Sequence, residues 1–369
     1  MSLSLAFKFQ YLAFIYVYLQ NYLEGYWKKN GVKAEQITTR HVVRNVDYNN
    51  EDKLFTVRVT DLRKKTDSKC TFDYVIVASG HFSTPNVPSL PGLDSFRGRV
   101  MHSHDFRNAR EFTGQRLLVV GGHYSAEDLA LQCYKFGAEQ ITISYRTQAQ
   151  GFKWPDKVRE VPLERIEGKT CYFKDGSSSD VDAIILCTGY LMNFPFLSSE
   201  YRLECANIYY PPNLYRGVQW YGVDEGKKHA DGRLFYCGMN DQVYSFTMFE
   251  MQARWITTVI KGLHTVPAVE ECVAEVKEYY AENPLLTDTY KGAETQNKYL
   301  ARLAADIGYE GKLDTVVQFV EWLDNKEENI LTYRDKNHVS PHTGRLAPIH
   351  PVPWLECFDD SLEGYVNCC

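Results

Sequence analysis

Three hundred and sixty-nine residues, 44% hydrophobic and 24% charged with 14 Pro and 24 Gly, make an ordinary globular chain of about two domains. Disordered, collagenous and low-complexity classes are excluded, and a chain this long needs no disulfide or metal staple. The net charge of -6, from 41 basic and 47 acidic residues without like-charge blocks, gives no field for a polyanion, so nucleic acid is not an expected partner.

In chain order, Leu3 to Leu19 is strongly apolar, but Lys8, Gln10 and several aromatics interrupt it. It falls short of the roughly 20 residues of a membrane span and lacks the basic start and cleavage site of a signal peptide. The expectation is a buried amphipathic helix from Tyr11 to Lys29 closed by Asn30-Gly31, with a membrane anchor as the alternative. His41 to Tyr48 and Leu54 to Thr60 alternate around Asn49-Asn50, a hairpin signal. Phe72 to Gly80 is a nearly all-apolar run ending in glycine, as a buried parallel strand would. A connector rich in proline follows (Pro85, Pro88, Pro91). Gln115 to Val120 predicts a buried strand, Ser125 to Phe136 a helix stopped by Gly137, and Ile141 to Tyr145 the next strand. Together these are a β-α-β unit of a doubly wound sheet. Val181 to Tyr190 repeats the pattern of a strand ending in Thr-Gly. From about Phe249 the chain becomes helical and charged, and it ends in a Pro- and His-rich tail. Its 10 cysteines show no C-x-x-C pair and no histidine at zinc spacing, so free thiols of a cytoplasmic protein and no metal centre are expected.

The strongest chemical signal is Leu117-Leu-Val-Val-Gly-Gly-His-Tyr-Ser-Ala-Glu-Asp128. A strand, a tight glycine turn and a small-residue helix start let a pyrophosphate sit against free backbone N–H groups and the positive helix end. Aligned on G-x-G-x-x-G, Gly121 is the first glycine, His123 takes the second place and Ala126 the third, a degenerate fingerprint. The next strand ends in Ser144-Tyr145-Arg146-Thr147, with no acidic residue to accept a ribose hydroxyl. A guanidinium there suits a 2′-phosphate, so NADP is expected over NAD. The competing reading of Arg146 is an exposed arginine at a strand end.

Phe96-Arg-Gly-Arg-Val-Met-His102-Ser-His-Asp-Phe106 matches F-x-G-x-x-x-H-x-x-x-[FW], the identifying motif of class B flavoprotein monooxygenases. Ile185-Leu-Cys-Thr-Gly-Tyr190 looks like a further motif of the flavin-containing monooxygenases. The chain resembles that family, and within it the trimethylamine monooxygenase type. The supporting stretches are 80–88, Gly151-Phe-Lys-Trp-Pro155, 210–215, Gly238 to Phe249, Asn329-Ile-Leu-Thr-Tyr-Arg334 and Thr343-Gly-Arg-Leu-Ala-Pro348.

The resemblance implies two nested dinucleotide-binding (Rossmann-like) α/β domains, with FAD and NADP as cofactors. Residues 1–106 and 216–369 would form the FAD-type domain, the latter with a helical tail, around an NADP domain at 107–215. Tyr124 and Ser125, with Gly121, His123 and Ala126, would face the NADP pyrophosphate, and Tyr145, Arg146 and Thr147 its 2′-phosphate. Gln242 and Ser245 would lie by the flavin, and the Val43 backbone would meet the FAD adenine. Phe96, Gly98, His102 and Phe106 would form the linker, near Thr188, Gly189 and Tyr190. Val243, where this type usually has tryptophan, and Tyr244 would line the substrate pocket. The implied reaction uses NADPH and O2 to form a C4a-hydroperoxyflavin that oxygenates a soft nitrogen or sulfur, first a small tertiary amine such as trimethylamine. A homodimer is an expected state. The family's first Gly-rich loop, and with it an active-site asparagine, has no counterpart before residue 80. The alternative is therefore a non-catalytic NADP-binding or dimerising remnant. Within the family the competing reading is a Baeyer–Villiger enzyme, against which Phe106 and Thr188-Gly189-Tyr190 speak.

Overall fold

The structure, a computed structural model, describes residues 23–205, 211–240, 245–282, 289–311 and 316–333, with 339, 344 and 346. Its described residues fall into two compact units, one within 21–84 and 190–316 and the other within 85–189 and 317–369. Residues 85–189 of the second unit thus interrupt the chain of the first, and its other described part follows residue 316.

The first unit opens with helix α1 (23–29). Gly31, at φ +67, lets the Val32 N–H reach the Trp27 carbonyl (3.2 Å), so the expected Asn30-Gly31 cap is present. The preceding part of the anticipated helix, with Leu3 to Leu19, lies outside the described residues. Strands β1 (His41–Asn49) and β2 (Leu54–Asp61) form the hairpin, with Asn49 opposite Leu54. A third strand, β3 (Thr66–Phe72), extends this antiparallel sheet. All seven of its residues are exposed, so it carries no apolar alternation for a sequence reading to detect. The 72–80 run yields only a short strand, β4 (Val75–Val77), which corrects the expectation of a strand covered on both faces. Phe72 already belongs to β3, and although Val77 is buried, Ile76 is 48% exposed.

The two-residue strand β5 (Thr84–Pro85) leads through the proline-rich connector into the inserted unit. There the order is β6 (Arg99–His102), β7 (Arg116–Val120), α2 (Tyr124–Lys135), β8 (Gln140–Ser144), β9 (Val158–Glu160), β10 (Leu163–Glu167), β11 (Thr170–Phe173), β12 (Ser178–Asp180) and β13 (Ala183–Leu186). Five strands make a wholly parallel sheet in the order β6-β13-β7-β8-β9. Both faces are buried, which is why β7, β8 and β13 read as unbroken apolar runs. Leu117, Val119, Ile141 and Ile185 face one cluster, where Ala126, Leu129, Ala130 and Cys133 of α2 cover them at helical spacing. Leu118, Val120, Ile184 and Leu186 face the other, covered by Ile166, Cys171 and Phe173. That second cover is an antiparallel sheet of β10, β11 and β12, so a small meander stands where a doubly wound fold puts helices. Gly137, at φ +80, ends α2 and lets the Ala138 N–H bond back to the Cys133 carbonyl (2.9 Å).

The chain then returns to the first unit through β14 (Tyr190–Leu191), β15 (Leu214–Tyr215), β16 (Gln219–Trp220) and β17 (Leu234–Tyr236), and β17 lies parallel to β4. Helices α3 (Ser245–Ile260), α4 (Val269–Glu282) and α5 (Thr289–Asp306) follow. The half-buried guanidinium of Arg216 ties Glu275 of α4 to Asp306 of α5. The last helix among the described residues, α6 (Val316–Glu328), precedes Ile330 and Tyr333, which pack on Leu131 of α2. No helix among the described residues is long and apolar enough to cross a membrane.

The expected boundaries of the insert, 107 and 215, are corrected to 85 and 189. The 96–106 motif is no linker, because β6 pairs in parallel with β13 and makes one edge of the inserted sheet. Residues 190–215 belong with the flanking unit. The stretch expected at 216–369 is not a single piece either, since its described residues 317–333 group with the insert. Phe106 is wholly buried and stacks on Phe112, ring centroids 5.7 Å apart. Phe106→Ala is expected to cost about 3–5 kcal/mol, read as a lower urea midpoint of the inserted unit.

Candidate functional site

The site is built at the carboxyl edge of the inserted sheet. The Gly121 N–H donates to the Ser144 carbonyl (2.8 Å), and the Cys187 N–H donates to the Val120 carbonyl (2.7 Å). Gly121 adopts φ +148, and a Cβ there would lie 2.3 Å from the Cys187 oxygen. Only glycine fits between these strands. Gly122 then leads to His123, whose extended backbone caps α2 with no capping bond from its side chain. The Ala126 and Glu127 N–H groups share the His123 carbonyl (2.9 and 3.2 Å). The imidazole of His123 and the hydroxyl of Ser125 are exposed, Tyr124 is half-buried, and Ala126 is fully buried against the sheet. The His123 side chain thus leaves the positive helix end uncapped, which suits an anionic ligand.

At the end of β8, Ser144 is buried and its Oγ accepts from the Leu163 N–H (2.8 Å). Tyr145 is half-buried, while Arg146 and Thr147 are exposed. No carboxylate stands among residues 145–150 that follow this strand, and the Arg146 side chain is exposed. Sequence reasoning missed three residues beside this cradle. Glu127 lies on the buried side of the first turn of α2 with its carboxylate fully enclosed, held by the Lys326 Nζ and the Tyr333 Oη, each at 2.5 Å. The available signal was a carboxylate at a helix position whose neighbours are all buried, since such a group requires a cation.

The motif residues meet one another. Gly98 passes so close to the Asp182 carbonyl that a Cβ would sit 2.4 Å from it, with the Phe96 ring folded over the other side at 2.6 Å. His102 pairs in register with Leu186, so it reaches the turn after β13. Its Nδ1 accepts from the His104 N–H (3.1 Å). Burial holds its pKa below the ordinary 6.5, against the smaller opposing effect of the nearby Gly189 backbone. The Thr188 Oγ1 donates to the Asn86 carbonyl (2.5 Å) and the Asn86 N–H to the Gly189 carbonyl (2.9 Å), tying together the two ends of the insert.

In the flanking unit, Val43 stands in β1 opposite Val59, beside a bulge, and is 40% exposed. Ser245 opens α3, and its buried Oγ has no hydrogen-bond partner among the described residues. Two turns further along α3, Gln252 accepts from the Gly238 N–H (2.7 Å) and donates to Asn240 (2.8 Å) and Tyr299 (2.9 Å). Gln242, Val243 and Tyr244 lie outside the described residues. Burial pushes the Cys237 thiol up to about 11 and Cys171 to about 12, so neither is a thiolate nucleophile near neutrality.

The neutral state of His102 carries a pH signature. As pH falls through 6.5 the unfolded chain takes up a proton that folded His102 refuses until a lower pH. Stability is therefore full above 6.5 and is lost between 6.5 and the lowered folded value. Thermal melts from pH 8 to 5 are expected to show this loss in the wild type and a shallower one in His102→Gln.

Residues 16–167 match the family described as pyridine nucleotide-disulphide oxidoreductase, and 157–317 the family described as flavin-binding monooxygenase-like. The chain is 44% identical to the trimethylamine monooxygenase of Methylocella silvestris over 95% of its own length and 76% of that protein. The crystal structure of Tmm from Pelagibacter sp. superposes with a TM-score of 0.83 at 40% identity, covering 94% of this chain and 77% of that one. The S-allyl-L-cysteine S-oxygenase of Allium sativum follows at 0.74 and 26%, covering 86% and 72%. With a glycine turn opening α2 at Gly121, both monooxygenase motifs in contact and identity of this extent, the chain belongs to the flavin-containing monooxygenase family.

Proposed function

We propose that this chain is an NADPH- and FAD-dependent monooxygenase acting on a soft nucleophilic nitrogen, first of all that of a small tertiary amine such as trimethylamine. The observation that carries it is the glycine turn at Gly121 opening α2, with Arg146 at the next strand end where an NAD enzyme needs an acid. Gly121 and the backbone of His123, Tyr124 and Ser125 receive the NADP pyrophosphate, and Arg146, flanked by Tyr145 and Thr147, receives the 2′-phosphate. The residues present fit NADP. For FAD they supply a buried hydroxyl, Ser245 Oγ, at the start of α3, while no two glycines stand two apart anywhere in the chain to give a G-x-G cradle. Val43, by the resemblance, adds a backbone contact to the FAD adenine.

When bound, reduced flavin supplies the electrons with which O2 delivers one oxygen atom to the amine and the other leaves as water. The chain itself binds, orients and excludes water, and needs no nucleophile of its own. The seven described cysteines are free thiols, which suits a reducing, cytoplasmic setting. A sulfide is the second substrate class, favoured by the likeness to an S-oxygenase at a TM-score of 0.74.

Two experiments test the reading. Arg146→Ala should weaken NADPH by roughly ten- to a hundredfold, the worth of a charge-assisted contact of about 1.5–3 kcal/mol, and leave NADH nearly unchanged. Equal losses in a binding titration would remove Arg146 from the role. With FAD added, NADPH oxidation should be matched by amine oxide formed. Val243→Trp should then favour trimethylamine over a larger aryl amine. NADPH oxidation that yields no amine oxide would count against the oxygenase.

A further inference from the structure

The carboxylate of Glu127 is out of place for a phosphate-binding helix. It lies in the first turn of α2, fully enclosed, at the end of the helix whose positive potential attracts an anion. A bare carboxylate there would compete with the pyrophosphate for the same field. A buried charge of this kind also requires a partner.

The partner comes from the far end of the chain. Lys326 of α6 is 6% exposed in its side chain and places Nζ 2.5 Å from Glu127 Oε2. Its ammonium is boxed by aromatic rings, 4.5 Å from the centroid of Tyr124, 4.8 Å from Phe152, 5.5 Å from Trp322 and 5.9 Å from Tyr333. Tyr124 is the first residue of α2, so the same cation that cancels Glu127 also holds the helix start. Tyr333 completes the set by donating its hydroxyl to Glu127 Oε1 (2.5 Å).

We infer that Lys326 is a positioning residue for NADP: it neutralises Glu127 inside the first turn of α2 and keeps that helix end positive toward the cofactor pyrophosphate. The inference rests on the NADP reading of the Gly121 turn. A buried ion pair is weak evidence for stability, since apolar residues of similar volume often serve as well, whereas a neutralised carboxylate beside an anion site has an electrostatic purpose.

The test compares the wild type, Lys326→Met, Glu127→Gln and the double variant by calorimetric titration with NADP+, each with its melting temperature. Lys326→Met should weaken NADP+ by about tenfold, the scale of one charge acting at a partly buried helix terminus. Glu127→Gln should bind at least as tightly as the wild type, and the double variant should return to wild-type affinity. In the FAD-loaded enzyme the Lys326→Met loss should appear in KM for NADPH with kcat retained. If the double variant binds as weakly as Lys326→Met, or Lys326→Met binds as the wild type does, the inference is overturned. Should Lys326→Met not fold, Glu127→Gln decides, because weaker NADP+ binding in that variant contradicts the charge argument. A wild type that binds no NADP+, or an Arg146→Ala chain that binds it unchanged, would instead overturn the NADP reading and this inference with it.

Discussion

The site depends on one backbone crossing. Because β13 runs parallel beside β7, the Cys187 carbonyl arrives where a side chain at 121 would stand, 2.3 Å from its Cβ. Glycine is required, and its φ of +148 turns the chain out of the sheet just as the strand ends. Helix α2 must then begin at the carboxyl edge. The sheet order β6-β13-β7-β8 does the rest. With every strand parallel, His102, Thr188, Gly121 and Arg146 fall side by side at the ends of four neighbours, the edge where open α/β sheets place ligands.

The two edges of this sheet are held by different means. At the amino edge the Asp182 carboxylate takes two bonds from the Arg116 guanidinium, both 3.1 Å, and one from its backbone N–H at 3.0 Å. These bonds hold the Asp182 carboxyl below its usual range. Both side chains keep about a third of their surface in water, so the pair adds little to stability and mainly fixes the register of β7 against β13. The carboxyl edge near the Gly121 turn uses glycine, backbone bonds and an exposed arginine instead.

What was legible in the sequence was local. A strand, a glycine turn and a small-residue helix announce themselves within a dozen residues, and so does the end of β8 at Arg146. β3 was not legible, since its exposed polar residues pair through the backbone and carry no pattern. The edges of the insert were misplaced because an F-x-G-x-x-x-H segment does not say which sheet it will join. Only its pairing with β13 decides that. The Glu127–Lys326 contact joins residues almost two hundred apart, and no periodicity encodes it.

Selectivity at this edge is a matter of sign. An acid at the end of β8 would bond a ribose hydroxyl and repel a 2′-phosphate, and Arg146, in the role proposed for it, would reverse both preferences with one side chain. The same reasoning extends inward to the helix. A pyrophosphate needs the start of α2 to be positive, and the one carboxylate enclosed in that first turn is matched by an enclosed ammonium. On the proposed reading, the outer charge would select the nucleotide and the inner pair would leave the helix end free to hold it. The reacting chemistry is left to the bound cofactors. That division fits a family in which binding and exclusion of water, with no nucleophile from the chain, are the protein's contribution.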